Sequence, residues 1–162
     1  MTLNACQQQI VAFLTGLASD GYATPIVAQV ALPTGTNVKM ARPEVYVWGG
    51  AATESRIAIP RGPGWKQDLI TVSVWLFGVE QANDPDRAWK FPVLIQTVRK
   101  ALAGASPMPI QITDPQTGEV STMLDLGEEM SWEYDLDRAL ADQRLVRNIC
   151  RLDVSLREEF NA

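Results

Sequence analysis

Near the start of the chain, apolar residues recur every three to four positions, at Leu3, Cys6, Ile10, Phe13, Leu14 and Leu17. That period predicts an amphipathic helix, with Thr2 as its N-cap and Gly16 and Ser19-Asp20-Gly21 at its end. Its other side carries Gln7, Gln8, Gln9 and Thr15, polar and uncharged, suited to solvent or to a neighbouring subunit. The period then drops to two. Ile26, Ala28 and Val30 alternate with Val27 and Gln29, which predicts a short strand. Pro43 opens a second, Val45-Tyr46-Val47-Trp48, and Gly49-Gly50 closes it. Arg56-Ile57-Ala58-Ile59-Pro60 reads as a strand edge. A long strand follows, with Ile70, Val72, Val74 and Leu76 on an aliphatic face and Leu69, Thr71, Ser73, Trp75 and Phe77 on a mixed one. A strand dressed on both faces is expected at the centre of its sheet.

Asp84-Pro85-Asp86-Arg87 predicts a helix start, with Asp84 capping and Pro85 in the first position. Trp89, Val93 and Leu102 carry that helix to Gly104, and Pro92 predicts either a kink or a true beginning near itself. Ile110 and Ile112 precede the turn Asp114-Pro115-Gln116-Thr117-Gly118, and Val120 and Met123 follow it, so a hairpin is expected before Asp125-Leu126-Gly127 breaks the pattern. Finally, Met130, Trp132, Tyr134 and Leu136 alternate with acids, and Val146, Cys150, Leu152, Val154 and Leu156 alternate with arginines. Asn148 and Ile149 interrupt that last alternation once. The expected whole is one α+β domain spanning 1–162. Its mixed, mainly antiparallel sheet is packed by two helices, with an extra β-hairpin inserted at 107–127.

Composition narrows the chemistry. The net charge of -5 disfavours sequence-independent nucleic-acid binding. No apolar run reaches the ~20 residues of a membrane span, and no signal peptide is evident, which leads to an expected cytosolic site of folding. The chain has no histidine, so the usual base of serine and cysteine catalysis is missing. Lys39, Lys66, Lys90 and Lys100 form no motif with a serine. No catalytic residue, cofactor or metal is therefore expected. Cys6 and Cys150 sit on apolar faces and are expected as buried free thiols.

Two clusters remain. Glu128, Glu129, Glu133, Asp135 and Asp137 lack the spacing of a calcium loop and fit a solvated or arginine-paired strand face, at a lumen or an interface. Arg61-Gly62-Pro63-Gly64-Trp65-Lys66 lacks phosphate-loop spacing. Arg61, Trp65 and Lys66 make it a candidate partner-contact loop. Of Trp48, Trp65, Trp75, Trp89 and Trp132, all but Trp65 are expected mainly in the core.

In the order of its elements the chain resembles the tail terminator family of long-tailed bacteriophages. The resemblance rests on the helix at 3–17, the Pro-x-Val-x-Val strand at 43–48, the strand pair at 57–77, the helix at 85–103 and the closing strands at 130–156. It implies a homo-oligomeric ring of six subunits that caps the tail tube, ends its polymerisation and meets a head-side connector or stopper protein. DNA would pass through without specific binding. The expected place is the tail-neck junction of the virion, after assembly in the host cytoplasm. A head-tail connector or stopper is the alternative.

Overall fold

A computed structural model describes residues 3–33, 42–56, 65–104, 112–113, 120–121, 125–140 and 144–161. For residues 51–56, 65–68, 125–140 and 156–161 it describes backbone path and register. The fold is α+β. Helix α1 (Leu3–Leu14) is followed by β1 (Val27–Val30), β2 (Glu44–Arg56) and β3 (Trp65–Gln81). Helix α2 (Arg87–Gly104), the short strands β4 (Ile112–Thr113) and β5 (Val120–Ser121), and the long strands β6 (Asp125–Leu140) and β7 (Leu145–Asn161) complete it. The main sheet runs β1-β2-β3-β7-β6, parallel only between β1 and β2, and β4 pairs with β5 apart from it. The doubly dressed strand β3 is central, as its pattern predicts.

The aliphatic face of β3 is sealed. Ile70, Val72, Val74 and Leu76 are at most 1% exposed and lie in register with the row Cys150, Leu152, Val154 of β7. Cys6, Ile10 and Leu14 of α1 and Phe91, Leu94, Ile95, Val98 and Leu102 of α2 cover this face in one cluster with Val45 and Val47. Both helices thus pack on the same side. Cys6 and Cys150 are free and buried within the cluster, as expected. Burial pushes the Cys150 thiol up to about 12.

Several boundaries differ from the pattern. Helix α1 stops at Leu14, with Gly16 at φ +86° and its amide on Ile26 O at 3.0 Å, so Phe13 falls off the packed face at 37% exposed. Thr2 lies outside the described residues. Gly49 and Gly50 do not end β2. They form a β-bulge, since Trp48 pairs with Ser73 and Ala51 pairs with Thr71, leaving two residues opposite one. Gly49 has φ +68° and Gly50 +141°, and a Cβ on Gly50 would stand 2.2 Å from Thr71 O. The bulge frees the Gly49 carbonyl, and Gln7 Nε2 donates to it at 3.2 Å. That bond is why Gln7 is buried, at 7% exposed, against the expectation of a wholly polar outer side.

Asp84 caps as expected, its Oδ1 accepting from Asp86 N at 2.9 Å, but regular helix begins at Arg87 and not at Pro85 or Pro92. Pro92 is the sixth residue of α2, and lacking an N–H it leaves the Ala88 carbonyl without its i→i−4 bond there. Asp125 and Leu126 belong to β6, and the irregularity predicted there is a register shift between Leu126 and Met130. Asn148 does not interrupt β7. It points to the buried side in strict alternation with Val146 and Cys150, and Glu80 accepts its Nδ2 at 2.7 Å.

Candidate functional site

The other face of the sheet carries no described helix. In its place stand two polar and aromatic constellations built from β2, β3 and β7. In the first, Glu44 is 3% exposed and its two oxygens accept from Arg42 Nη2 at 2.6 Å and from the Tyr46 hydroxyl at 2.7 Å. Tyr46 stands edge-on to Phe77, with ring centroids 5.2 Å apart at 83°, and the Arg147 guanidinium lies 6.0 Å from the Phe77 centroid. Burial first, and then bonding to Glu44, pushes the Tyr46 hydroxyl up to about 12, so it remains a donor at neutral pH.

The second constellation lies one step along the strands. Asp153 Oδ1 accepts from Ser73 Oγ at 2.7 Å and from Arg151 Nε at 3.0 Å. Held this way, the Arg151 guanidinium sits 5.4 Å from the Trp75 ring centroid. The Thr71 and Ser155 hydroxyls meet at 3.3 Å. Trp48, 43% exposed, and Leu69, 37% exposed, give the face an apolar rim.

Chemically the two constellations do the same thing. Each carboxylate spends its oxygens on orienting an arginine and a hydroxyl. Stacked, pre-oriented Arg and Trp side chains lose little freedom on docking, which is why such residues dominate binding hot spots.

No family model matches this chain, and no curated protein matches it.

The residues singled out in the sequence are distributed as follows. Arg61 lies outside the described residues. Trp65 and Lys66 are not loop residues. They begin β3, with Trp65 opposite Asn161 and Lys66 between Arg56 and Phe160, because pairing of the β2-β3 hairpin persists that far. Glu128 and Glu129 fall in the register shift of β6, off the paired ladder. Glu133 is opposite Arg151 and Asp137 opposite Arg147, the acid-against-arginine pairing that the alternation predicts, while Asp135 is opposite Ile149. The side chains of Trp65, Lys66 and these five acids lie outside the described residues.

The tryptophans are less buried than expected. Trp48 and Trp89 are 43% and 42% exposed, and Trp75 is half-buried under Arg151. The Trp75–Arg151 stack escaped the sequence pattern because it depends on β3 pairing with β7, a contact between strands far apart in the chain.

Proposed function

We propose that this chain is a structural virion protein that closes into a ring on the end of a phage tail tube, stops its polymerisation and joins it to the head-side connector. The observation that carries the reading is the sheet face on which no described helix packs, with its oriented arginines and the part-exposed Trp48 and Trp75. Arg42 and Arg151 are paired with Glu44 and Asp153 on the same face, so it offers both signs of charge. Its contact with a different patch of a second copy would be heterologous, the kind of contact that closes into rings. Strand length supports the same reading. β3 and β7 are 17 residues each, against a usual ~5–6.

Native mass spectrometry and electron microscopy of the purified protein, alone and with tail tubes, test the proposal. A ring that binds tube ends is the expected result. A chain that stays monomeric at high concentration and ignores tube ends overturns it. Double-stranded DNA should not bind measurably at physiological salt, and tight, salt-sensitive binding would move the assignment to a DNA-engaging connector.

A further inference from the structure

At the far end of β3, on the helix side, lies a cavity of about 220 Å³ lined by Gly21, Tyr22, Val79, Glu80, Gln81, Asp84 and Lys90. Pockets for drug-sized ligands run to ~300–1,000 Å³, so this one suits a single small head group. Glu80 is 4% exposed, an unusual position for a carboxylate. Its oxygens accept from the Tyr22 hydroxyl at 2.8 Å and from Asn148 Nδ2 at 2.7 Å, both neutral donors. Hydrogen bonds from neutral groups hold a carboxylate in place without cancelling its charge. Lys90 also lines the cavity, but its Nζ is held by Asp84 Oδ2 at 2.7 Å. The lining thus sets two carboxylates against one ammonium.

Asn148, 1% exposed, stands behind Glu80 and not on the cavity lining, so its amide fixes the carboxylate from the protein side. The approach of Tyr22 to Glu80 also requires a glycine, since a Cβ on Gly78 would lie 2.5 Å from the Tyr22 hydroxyl and 2.9 Å from Phe91. What the cavity itself presents is a buried carboxylate, Glu80, held by neutral donors.

We propose that this cavity binds a guanidinium or primary ammonium head, with Glu80 as its charge partner and the Tyr22 and Asn148 side chains fixing that carboxylate. The proposal is independent of the ring reading. It concerns the opposite side of the sheet.

The test is titration of the full chain with methylguanidinium and methylammonium chloride at constant ionic strength, followed by NMR. Saturable shifts of the Asn148 side-chain amide and the Tyr22 ring are expected, with cross-peaks from the probe methyl to Tyr22 and Val79. Glu80→Gln should weaken binding by roughly tenfold or more. Tetramethylammonium, which carries the charge without N–H donors, should not saturate. Shifts that never saturate, an equal response to tetramethylammonium, or an unchanged Glu80→Gln titration would overturn the proposal. If Lys90 serves Glu80 as an internal counter-ion, wild-type protein shows no probe cross-peaks and the proposal fails. Should Glu80→Gln unfold, those wild-type cross-peaks decide alone. A short arginine peptide separates the two sources of such a head. Tighter binding than methylguanidinium assigns a basic side chain of a partner protein, and equal binding assigns a free amine.

Discussion

On the helix side of the sheet, Val74, Leu76, Cys150 and Leu152 keep no exposed surface, whereas on the other side Trp48 and Leu69 keep 43% and 37%. The first face is aliphatic and shaped by two helices. The second is aromatic, charged and hydrogen-bonded along the strands. Aliphatic burial is non-directional and contributes about 25 cal/mol per Å² removed from water, so it suits a fold's own interior. Oriented guanidinium and indole groups contribute little until a matching surface removes their water, so they suit a contact still to be made. In one sheet, adjacent residues of β3 therefore have different surroundings: Val74 is sealed among aliphatic side chains, and Trp75 is half-buried beneath the Arg151 guanidinium.

The comparison can be broken most forcefully on the helix side. Phe91→Ala should cost about 3–5 kcal/mol, read as a lowered urea midpoint, because Phe91 is fully buried between α2 and the sheet. A loss below ~1 kcal/mol would mean that the helices are not the cover of this core. Next comes Gly50→Ala, where a Cβ would overlap Thr71 O at a φ of +141°. A loss of about 2–3 kcal/mol is expected, and a neutral effect would show that the bulge relaxes freely.

On the open face, Trp75→Ala should lower stability by only about 1 kcal/mol while abolishing self-association in sedimentation. A large melting shift with assembly intact would reverse the roles of the two faces. Alkaline titration sharpens the point. The Tyr46 proton is held up to about 12 in the fold, so its contribution is complete below the ordinary tyrosine value near 10 and is lost as pH rises through about 12. Tyr46→Phe should flatten the stability profile over that window, and an unchanged profile would remove Tyr46 from the account.

The smallest effect concerns Asp84. Bonding to Lys90, and then to the Asp86 amide, holds its carboxyl below the usual range. Its contribution is therefore present above the ordinary carboxylate value and is lost as pH falls through the lowered one. Both groups are solvent-screened, so Lys90→Gln should leave acid unfolding almost unchanged, and a marked shift of its midpoint would contradict that.

How far the chain could be read in advance follows from where each signal resides. The aliphatic row of β3, the cap at Asp84 and the acid-arginine alternation of β6 and β7 are local patterns, and they reappear as a buried face, a helix start and a register. The open face depends on Tyr46, Trp75 and Arg151 meeting across three strands, and local periodicity holds no information about which strands are neighbours. Glycine misled for a related reason. Read locally, Gly49-Gly50 is a stop, but paired against β3 it is a bulge. Asn148 looked like an interruption only because its polarity hides its position. The strand keeps its period, and Glu80 supplies the partner.

The bulge also governs which changes of length this hairpin can absorb. A strand has a phase of two, and the extra residue at Gly49-Gly50 advances that phase by one. Val45 and Val47, at odd positions, are opposite Leu76 and Val74 before it, while Ala52, at an even position, is opposite Ile70 after it. Deleting either glycine would leave one residue opposite Val72 and a regular ladder, with Ala51 still facing Thr71 and Ala52 still facing Ile70. What it would remove is the bulge that presents the Gly49 carbonyl to Gln7. A single residue added or removed beyond the bulge, by contrast, would turn the following side chains to the other face. Adding or removing residues in pairs beyond the bulge would leave the phase untouched. The distal arm can therefore lengthen or shorten in steps of two while the helix-covered half stays as it is, so its reach can drift separately from the stability of the fold.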